Sequence, residues 1–165
     1  KNPGHNFLIP AYIRIFPETK FLVALRDPRD VCLSCFMQTH VTLGKESAAY
    51  LSLDATVAEY AAVMTLWRTL APLIRERSLE VRYEDMVLNL ESVSRRALDF
   101  LGVSWDEAVL RFDEHAQGKM VRSPTYADVK QPVFRRAVGR WRNWQKYLEP
   151  HLETLEPFVK AFGYE

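Results

Sequence analysis

An arginine and a serine eight positions apart, Arg26 and Ser34, bracket the start of a helix pattern, and that placement suits an oxyanion. Arg26 follows the aliphatic run Phe21-Leu22-Val23-Ala24-Leu25 and stands immediately before Asp27-Pro28-Arg29-Asp30. An acid, then proline, then a second acid near the third position make a strong helix start. The first helical turn offers unpaired N–H groups and the positive end of a dipole, to which a guanidinium adds a two-pronged grip on phosphate-like oxygens. Residues 30, 31 and 34 lie along one helix face, so Ser34 can present its hydroxyl on the Arg26 side. The same residues admit a plainer account, with Arg26 paired to Asp27 or Asp30 as cap electrostatics and Ser34 a small helix residue.

Three other groups could do chemistry. Lys130, Arg135, Arg136, Arg140, Arg142 and Lys146 form a stretch without an acid, interleaved with Phe134, Trp141, Trp144 and Tyr147. Such a mixture can bind single-stranded nucleic acid. Cys32 and Cys35 form one C-x-x-C, but no second pair or histidine cluster completes a metal site, and two small apolar residues on one helix face is the favoured reading. His5, His40, His115 and His151 lack ligand spacing, so no metal is expected.

The elements that must position these groups follow from hydrophobic period. Leu8, Tyr12, Ile15 and Phe16 share a helical face and Pro17 follows as a stop. Residues 21–25 read as a central parallel strand covered on both faces. A helix is expected from Asp27 to about Gln38. Another opens at Asp54, with Val57, Tyr60, Ala61, Met64, Trp67, Leu70 and Ile74 at helical spacing. Leu79, Val81 and Tyr83 alternate with Glu80 and Arg82 as a second strand. Val93, Ala97, Phe100 and Leu101 mark a further helix closed by Gly102, and Ser104 with Glu107 forms a capping box for the next. Residues 118–138 read as irregular, and a last helix is expected from about Pro150 to Phe162. Strands alternating with helices imply a parallel α/β sheet, and two strands are marginal alone, so further strands are expected upstream of Lys1.

Composition narrows the class. The chain has 165 residues, 48% of them hydrophobic and 12% aromatic, enough for one domain with a single core. Twenty-two basic against 21 acidic side chains leave a formal charge of +1, which gives no global pull toward nucleic acid or an anionic membrane. The apolar run at residues 21–25 is far short of the roughly 20 residues that span a bilayer, so no membrane insertion is expected. Residue 1 is not methionine and no signal peptide follows, so it reads as a cut point in a longer protein. Compartment has no signal here; a bacterial origin would favour the cytoplasm.

Taken in order, Lys1-Asn2-Pro3, the aliphatic strand, Arg26-Asp27-Pro28-Arg29-Asp30-Val31 with Ser34, Val81-Arg82-Tyr83-Glu84-Asp85 and Gly139-Arg140-Trp141 resemble the sulfotransferase family. The likeness runs over nearly the whole chain and is greatest to protein-tyrosine sulfotransferases and bacterial relatives carrying tetratricopeptide repeats. It implies a three-layer, P-loop-like α/β fold with a parallel sheet. Residues 1–165 would then be a partial domain, the C-terminal part, lacking the N-terminal strands and the loop for the 5′-phosphosulfate. The donor would be 3′-phosphoadenosine 5′-phosphosulfate and the product 3′,5′-adenosine bisphosphate. Arg26 and Ser34 would hold the 3′-phosphate and Tyr83 would lie beside the adenine. Lys130 would reach a phosphate, with Ser123 or Thr125 near the sulfonate, in a segment closing over the donor. Lys1 would neutralise charge on the bridging oxygen as the sulfur–oxygen bond breaks. Trp141 reads as a packing anchor.

Sulfonate transfer needs an in-line nucleophile, positive charge on the leaving oxygen and a general base within reach of the acceptor hydroxyl. The resemblance places that base, a glutamate in the protein-tyrosine branch, upstream of Lys1, with His5 a weaker substitute. The 165 residues alone are therefore expected to be inactive. Acceptors from protein tyrosine to sugars and small molecules stay open. A P-loop kinase, or a non-catalytic interaction domain on the same fold, are the competing readings; an upstream G-x-x-x-x-G-K-[ST] would mark the kinase.

Overall fold

The computed structural model describes residues 3–38, 49–117 and 133–164. Two strands, β1 (Phe21–Leu25) and β2 (Ser78–Arg82), pair in parallel with Phe21 opposite Ser78 and Leu25 opposite Arg82. Both strands of the sheet therefore end on the same edge, in an α/β arrangement as expected.

Before β1, a 3-10 turn (Pro3–Leu8) leads into α1 (Ile9–Ile15). Its core-facing residues are Ile9 and Ile13, one turn apart. The expected face is corrected here, because Ile15 and Phe16 are exposed. Pro10 sits within the first two positions of α1, where its missing N–H leaves no helical bond unmade.

After β1, α2 (Pro28–Met37) begins where the sequence places it, with the Asp27 carboxylate accepting from the Arg29 N–H at 2.9 Å. Ser52 caps α3 (Leu53–Leu70) by accepting from Ala55 N–H at 3.1 Å, and a 3-10 segment (Ala71–Arg77) carries the chain into β2. Ile9, Trp67 and Ile74 form one cluster, against which Phe21 and Val23 of β1 and Met64 of α3 pack.

The inner face of β1 is thus Phe21 and Val23. On its other face Leu22 is 47% exposed, while Val81 of β2, level with Ala24 on that face, is buried. The expectation of a strand covered on both faces is met only in part among the described residues: Phe21 and Val23 pack against this cluster, whereas Leu22 stays exposed.

Beyond β2 the chain turns at once into α4 (Tyr83–Leu88), then α5 (Leu90–Leu101). Gly102 closes α5 with φ +77°, donating to the Asp99 carbonyl at 3.0 Å while Val103 donates to the Leu98 carbonyl at 2.9 Å. That left-handed position is the reason for a glycine there. The expected capping box does not form. Asp106, accepting from Ala108 N–H at 2.8 Å, caps the 3-10 turn (Glu107–Arg111) before α6 (Phe112–Gln117).

A 3-10 turn (Arg140–Trp144), α7 (Gln145–Leu148) and α8 (Leu152–Ala161) complete the described chain. Leu155 is fully buried with Cys32 and Val57, and Leu148 with Leu33 and Trp141, so α2, α3 and α8 share one core. Each fully buried leucine contributes about 1.5–3 kcal/mol relative to its exposed state. No helix among the described residues is long and apolar enough to cross a membrane.

Candidate functional site

Because Leu25 pairs with Arg82, the next residues of the two strands, Arg26 and Tyr83, emerge side by side at the carboxyl edge of the sheet. The Arg26 guanidinium carbon lies 4.8 Å from the centroid of the Tyr83 ring, within cation–π range. In open parallel sheets this edge is where ligands bind. Tyr83 belongs to the first turn of α4 rather than to the end of β2, a correction to the strand reading. Glu84 and Asp85 follow it, and acids in a first turn favour helix.

Arg26 is held from two sides. Its Nη2 donates to the Ala137 carbonyl at 2.5 Å and lies 3.8 Å from Asp30 Oδ2. Its Nε is buried and has no hydrogen-bond partner among the described residues. A buried guanidinium N–H left over in this way is an arrangement that an added anionic acceptor would complete.

Asp30 organises the rest of this edge. Its side chain is fully buried, with Oδ2 accepting from Gly139 N–H at 2.7 Å and Oδ1 from Trp141 N–H at 2.8 Å. Gly139 takes φ +65°, a left-handed conformation that other L residues rarely adopt, which is the reason for a glycine there. Burial raises the Asp30 pKa above the usual carboxylate value, against the opposing pull of the Trp141 N–H, the Arg26 guanidinium and the Gly139 N–H. The plainer account of Arg26 as partner of Asp30 is therefore partly realised, at 3.8 Å, while Asp27 is engaged by Arg29 instead.

A second network ties the two strand ends to the end of the described chain. Glu84 Oε1 accepts from Asp27 N–H at 3.0 Å, and Oε2 accepts from the Tyr164 hydroxyl at 2.9 Å. Arg29 Nη2 donates to Asp27 Oδ2 at 2.7 Å and to the Tyr164 carbonyl at 2.6 Å, with its guanidinium 4.1 Å from the centroid of the Trp141 ring. Arg82 stacks 4.0 Å from the Tyr164 ring centroid and donates to the Gly163 carbonyl at 2.9 Å. Burial and the bond to Glu84 push the Tyr164 phenol pKa up. Sequence reasoning named Asp30 only as a helix-start acid and a possible partner of Arg26, not as the anchor of residues 139–141, and it gave Glu84 and Tyr164 no organising role. The one available signal was an acid inside each of the two segments around Arg26 and Tyr83.

Ser34 lies one helical turn beyond Asp30 on the same face of α2, half-buried, and its Oγ accepts from Gln38 Nε2 at 3.3 Å. No hydrogen bond joins it to Arg26 among the described residues; Asp30 stands between them along the helix. Lys1, Ser123, Thr125 and Lys130 lie outside the described residues. Trp141 is buried against Leu33 and Leu148, as a packing anchor should be. Arg136 sits 4.0 Å from the Phe134 ring centroid, while Trp144 and Tyr147 are exposed with ring centroids 6.0 Å apart.

Cys32 is fully buried among Val57 and Leu155, and burial pushes its thiol pKa up, so the C-x-x-C is a core feature on the Cys32 side. Both cysteines are free. No cluster of three or more His, Cys, Asp or Glu among the described residues is placed to hold a metal ion.

The sequence profile of the sulfotransferase family matches residues 1–107. Danio rerio protein-tyrosine sulfotransferase 1 is 30% identical over 160 residues, covering 92% of this chain and 44% of its own length. The omega-hydroxy-beta-dihydromenaquinone-9 sulfotransferase of Mycobacterium tuberculosis is 31% identical over 118 residues, 67% of this chain and 30% of its own length. An uncharacterized protein of Aquifex aeolicus is 26% identical over 161 residues, 94% of this chain and 20% of its own length. The chain thus spans less than half the length of each of these relatives. With the family profile covering well over half of its residues, the chain belongs to the sulfotransferase family.

Proposed function

We propose that this chain supplies the nucleotide-gripping part of a domain that transfers a sulfonate group from 3′-phosphoadenosine 5′-phosphosulfate to an acceptor hydroxyl. The observation that carries this reading is the pairing of Arg26 and Tyr83 at the carboxyl edge of β1 and β2, beside the N-terminus of α2, with the Arg26 Nε lacking a partner among the described residues. In this reading the guanidinium takes the 3′-phosphate and Tyr83 contacts the adenine. Ser34, whose oxygen already accepts from Gln38, donates its hydroxyl hydrogen to the same phosphate. Binding would require Arg26 Nη2 to share or release the Ala137 carbonyl.

Lys1 is assigned to the bridging oxygen, and Lys130 with Ser123 or Thr125 to the donor's phosphates and sulfonate. As the acceptor oxygen forms its bond to sulfur, the bond from sulfur to the phosphate oxygen breaks. The acceptor's proton passes to a base, and the bisphosphate leaves. The base and the loop around the 5′-phosphosulfate are assigned to an N-terminal part of a P-loop-like, three-layer domain, so residues 1–165 alone should bind nucleotide better than they catalyse. The acceptor is a hydroxyl of a protein tyrosine or of a smaller molecule. Family membership favours sulfonate transfer over a kinase reading.

The test is titration calorimetry of the full-length protein with 3′,5′-adenosine bisphosphate and with 5′-AMP. The bisphosphate should bind at least tenfold more tightly. Equal affinity for the two nucleotides would overturn the assignment, and no binding of either would favour a domain that kept the fold and lost the chemistry.

A further inference from the structure

Glu84 is the second residue of α4, and an acid in a first turn ordinarily serves its own helix. Both of its carboxylate oxygens instead reach residues far along the chain. Oε1 accepts from the Asp27 N–H at 3.0 Å, 57 residues away, and Oε2 from the Tyr164 hydroxyl at 2.9 Å, 80 residues away. The Asp27 N–H belongs to the peptide that joins Arg26 to the cap of α2. Glu84, the residue after Tyr83, therefore grips the backbone on which the Arg26 guanidinium is mounted.

A long, flexible side chain holds a peptide still only if its far oxygen is fixed as well, and Tyr164 fixes it. Tyr164 is 6% exposed. Its N–H donates to the Val159 carbonyl at 2.9 Å, its carbonyl accepts from Arg29 at 2.6 Å, and its ring lies against Arg82. The phenol is thus presented to Glu84 from a side chain that is itself held at three points. All of these partners lie within the described residues.

We propose that Glu84, steadied by Tyr164, is a positioning residue for the donor nucleotide: it fixes the peptide after Arg26 so that the guanidinium meets the 3′-phosphate of a nucleotide whose adenine lies beside Tyr83. This rests on the nucleotide reading above. Glu84 acts as a tether rather than as a charge. A carboxylate acting by charge would repel the phosphate, whereas a tether is replaceable by an amide of the same length. Glutamine keeps both bonds, since its amide oxygen accepts from the Asp27 N–H while its NH2 donates to the phenol oxygen. Aspartate keeps the charge but is one methylene too short to span both partners.

Titration calorimetry on the full-length protein with 3′,5′-adenosine bisphosphate and 5′-AMP tests this, with circular dichroism establishing that each variant is folded at the temperature used. Glu84→Asp should lose about threefold to tenfold in bisphosphate affinity, the worth of one such bond, and stay within about twofold for AMP. Tyr164→Phe, which frees Oε2 alone, should lose about threefold for the bisphosphate. Glu84→Gln should stay within about twofold of wild type for both nucleotides. In an Arg26→Ala background Glu84→Asp should cost no further bisphosphate affinity, because the tether then has nothing to position. A wild type that does not prefer the bisphosphate would remove the nucleotide reading and this inference with it. Where wild type does prefer it, unchanged affinity in Glu84→Asp or Tyr164→Phe, a severalfold gain in Glu84→Gln, or an undiminished loss in the Arg26→Ala background would each overturn the positioning role and leave the nucleotide reading standing.

Discussion

Removing the Asp30 carboxylate should be among the most damaging single changes near the carboxyl edge of the sheet. Asp30→Ala leaves the Gly139 and Trp141 N–H groups, now bonded at 2.7 and 2.8 Å, without acceptors, and withdraws the nearest anion from Arg26. Hydrogen bonds to a charged group contribute about 1.5–3 kcal/mol each, and relief from burying the carboxylate offsets part of their loss. A net destabilisation of about 2–4 kcal/mol follows. For a chain of this size each kcal/mol moves Tm by about 2–4 °C, so a fall of about 5–15 °C is expected. Asp30→Asn keeps one acceptor oxygen but turns an amide toward the other N–H, and should lie between wild type and Asp30→Ala. Circular dichroism melts measure all three proteins, and tryptophan fluorescence should shift because the Trp141 backbone loses its anchor. A Tm change under about 2 °C for Asp30→Ala would refute the view that this carboxylate holds residues 139–141 onto α2.

Tyr164→Phe deletes the hydroxyl bonded to Glu84 Oε2 at 2.9 Å while keeping the ring against Arg82, and should cost about 1–2 kcal/mol in a denaturant titration. Tyr164→Ala also abolishes the stacking and should cost clearly more. For the cysteines, burial holds the Cys32 thiol protonated at pH 8, so in native protein iodoacetamide should modify Cys35 while Cys32 reacts only after unfolding. Peptide mapping by mass spectrometry reads this, and equal rates at both cysteines would contradict the packed core around Cys32.

Much of the carboxyl edge of the sheet was legible because it depends on local rules. A continuous aliphatic run, an Asp-Pro helix start and a second alternating run fix β1, α2 and β2. The parallel pairing of two such strands then brings Arg26 beside Tyr83 without further information. What escaped was set by distance along the chain. Asp30 meets Gly139 and Trp141 across 109 and 111 residues, and Glu84 meets Tyr164 across 80, contacts no local pattern encodes. The start of α4 at Tyr83 escaped because Tyr83 continues the alternation of β2, while the acids that favour a helix come only after it. The Asp106 cap escaped for a simpler reason. Ser104 and Glu107 match a capping box, but the helix starts closer to the second acid. The continuous aliphatic run of β1 gave the strand but not the exposure of Leu22, which is as hydrophobic as the residues that do find partners.

The nucleotide assignment is tested most directly by measuring, in wild type and in Arg26→Ala, the ratio of affinities for 3′,5′-adenosine bisphosphate and 5′-AMP. If Arg26 grips the 3′-phosphate, the variant should lose about 1.5–3 kcal/mol of bisphosphate binding, tenfold or more, while its AMP affinity stays within about twofold. A variant that keeps the wild-type ratio would contradict the assignment of Arg26.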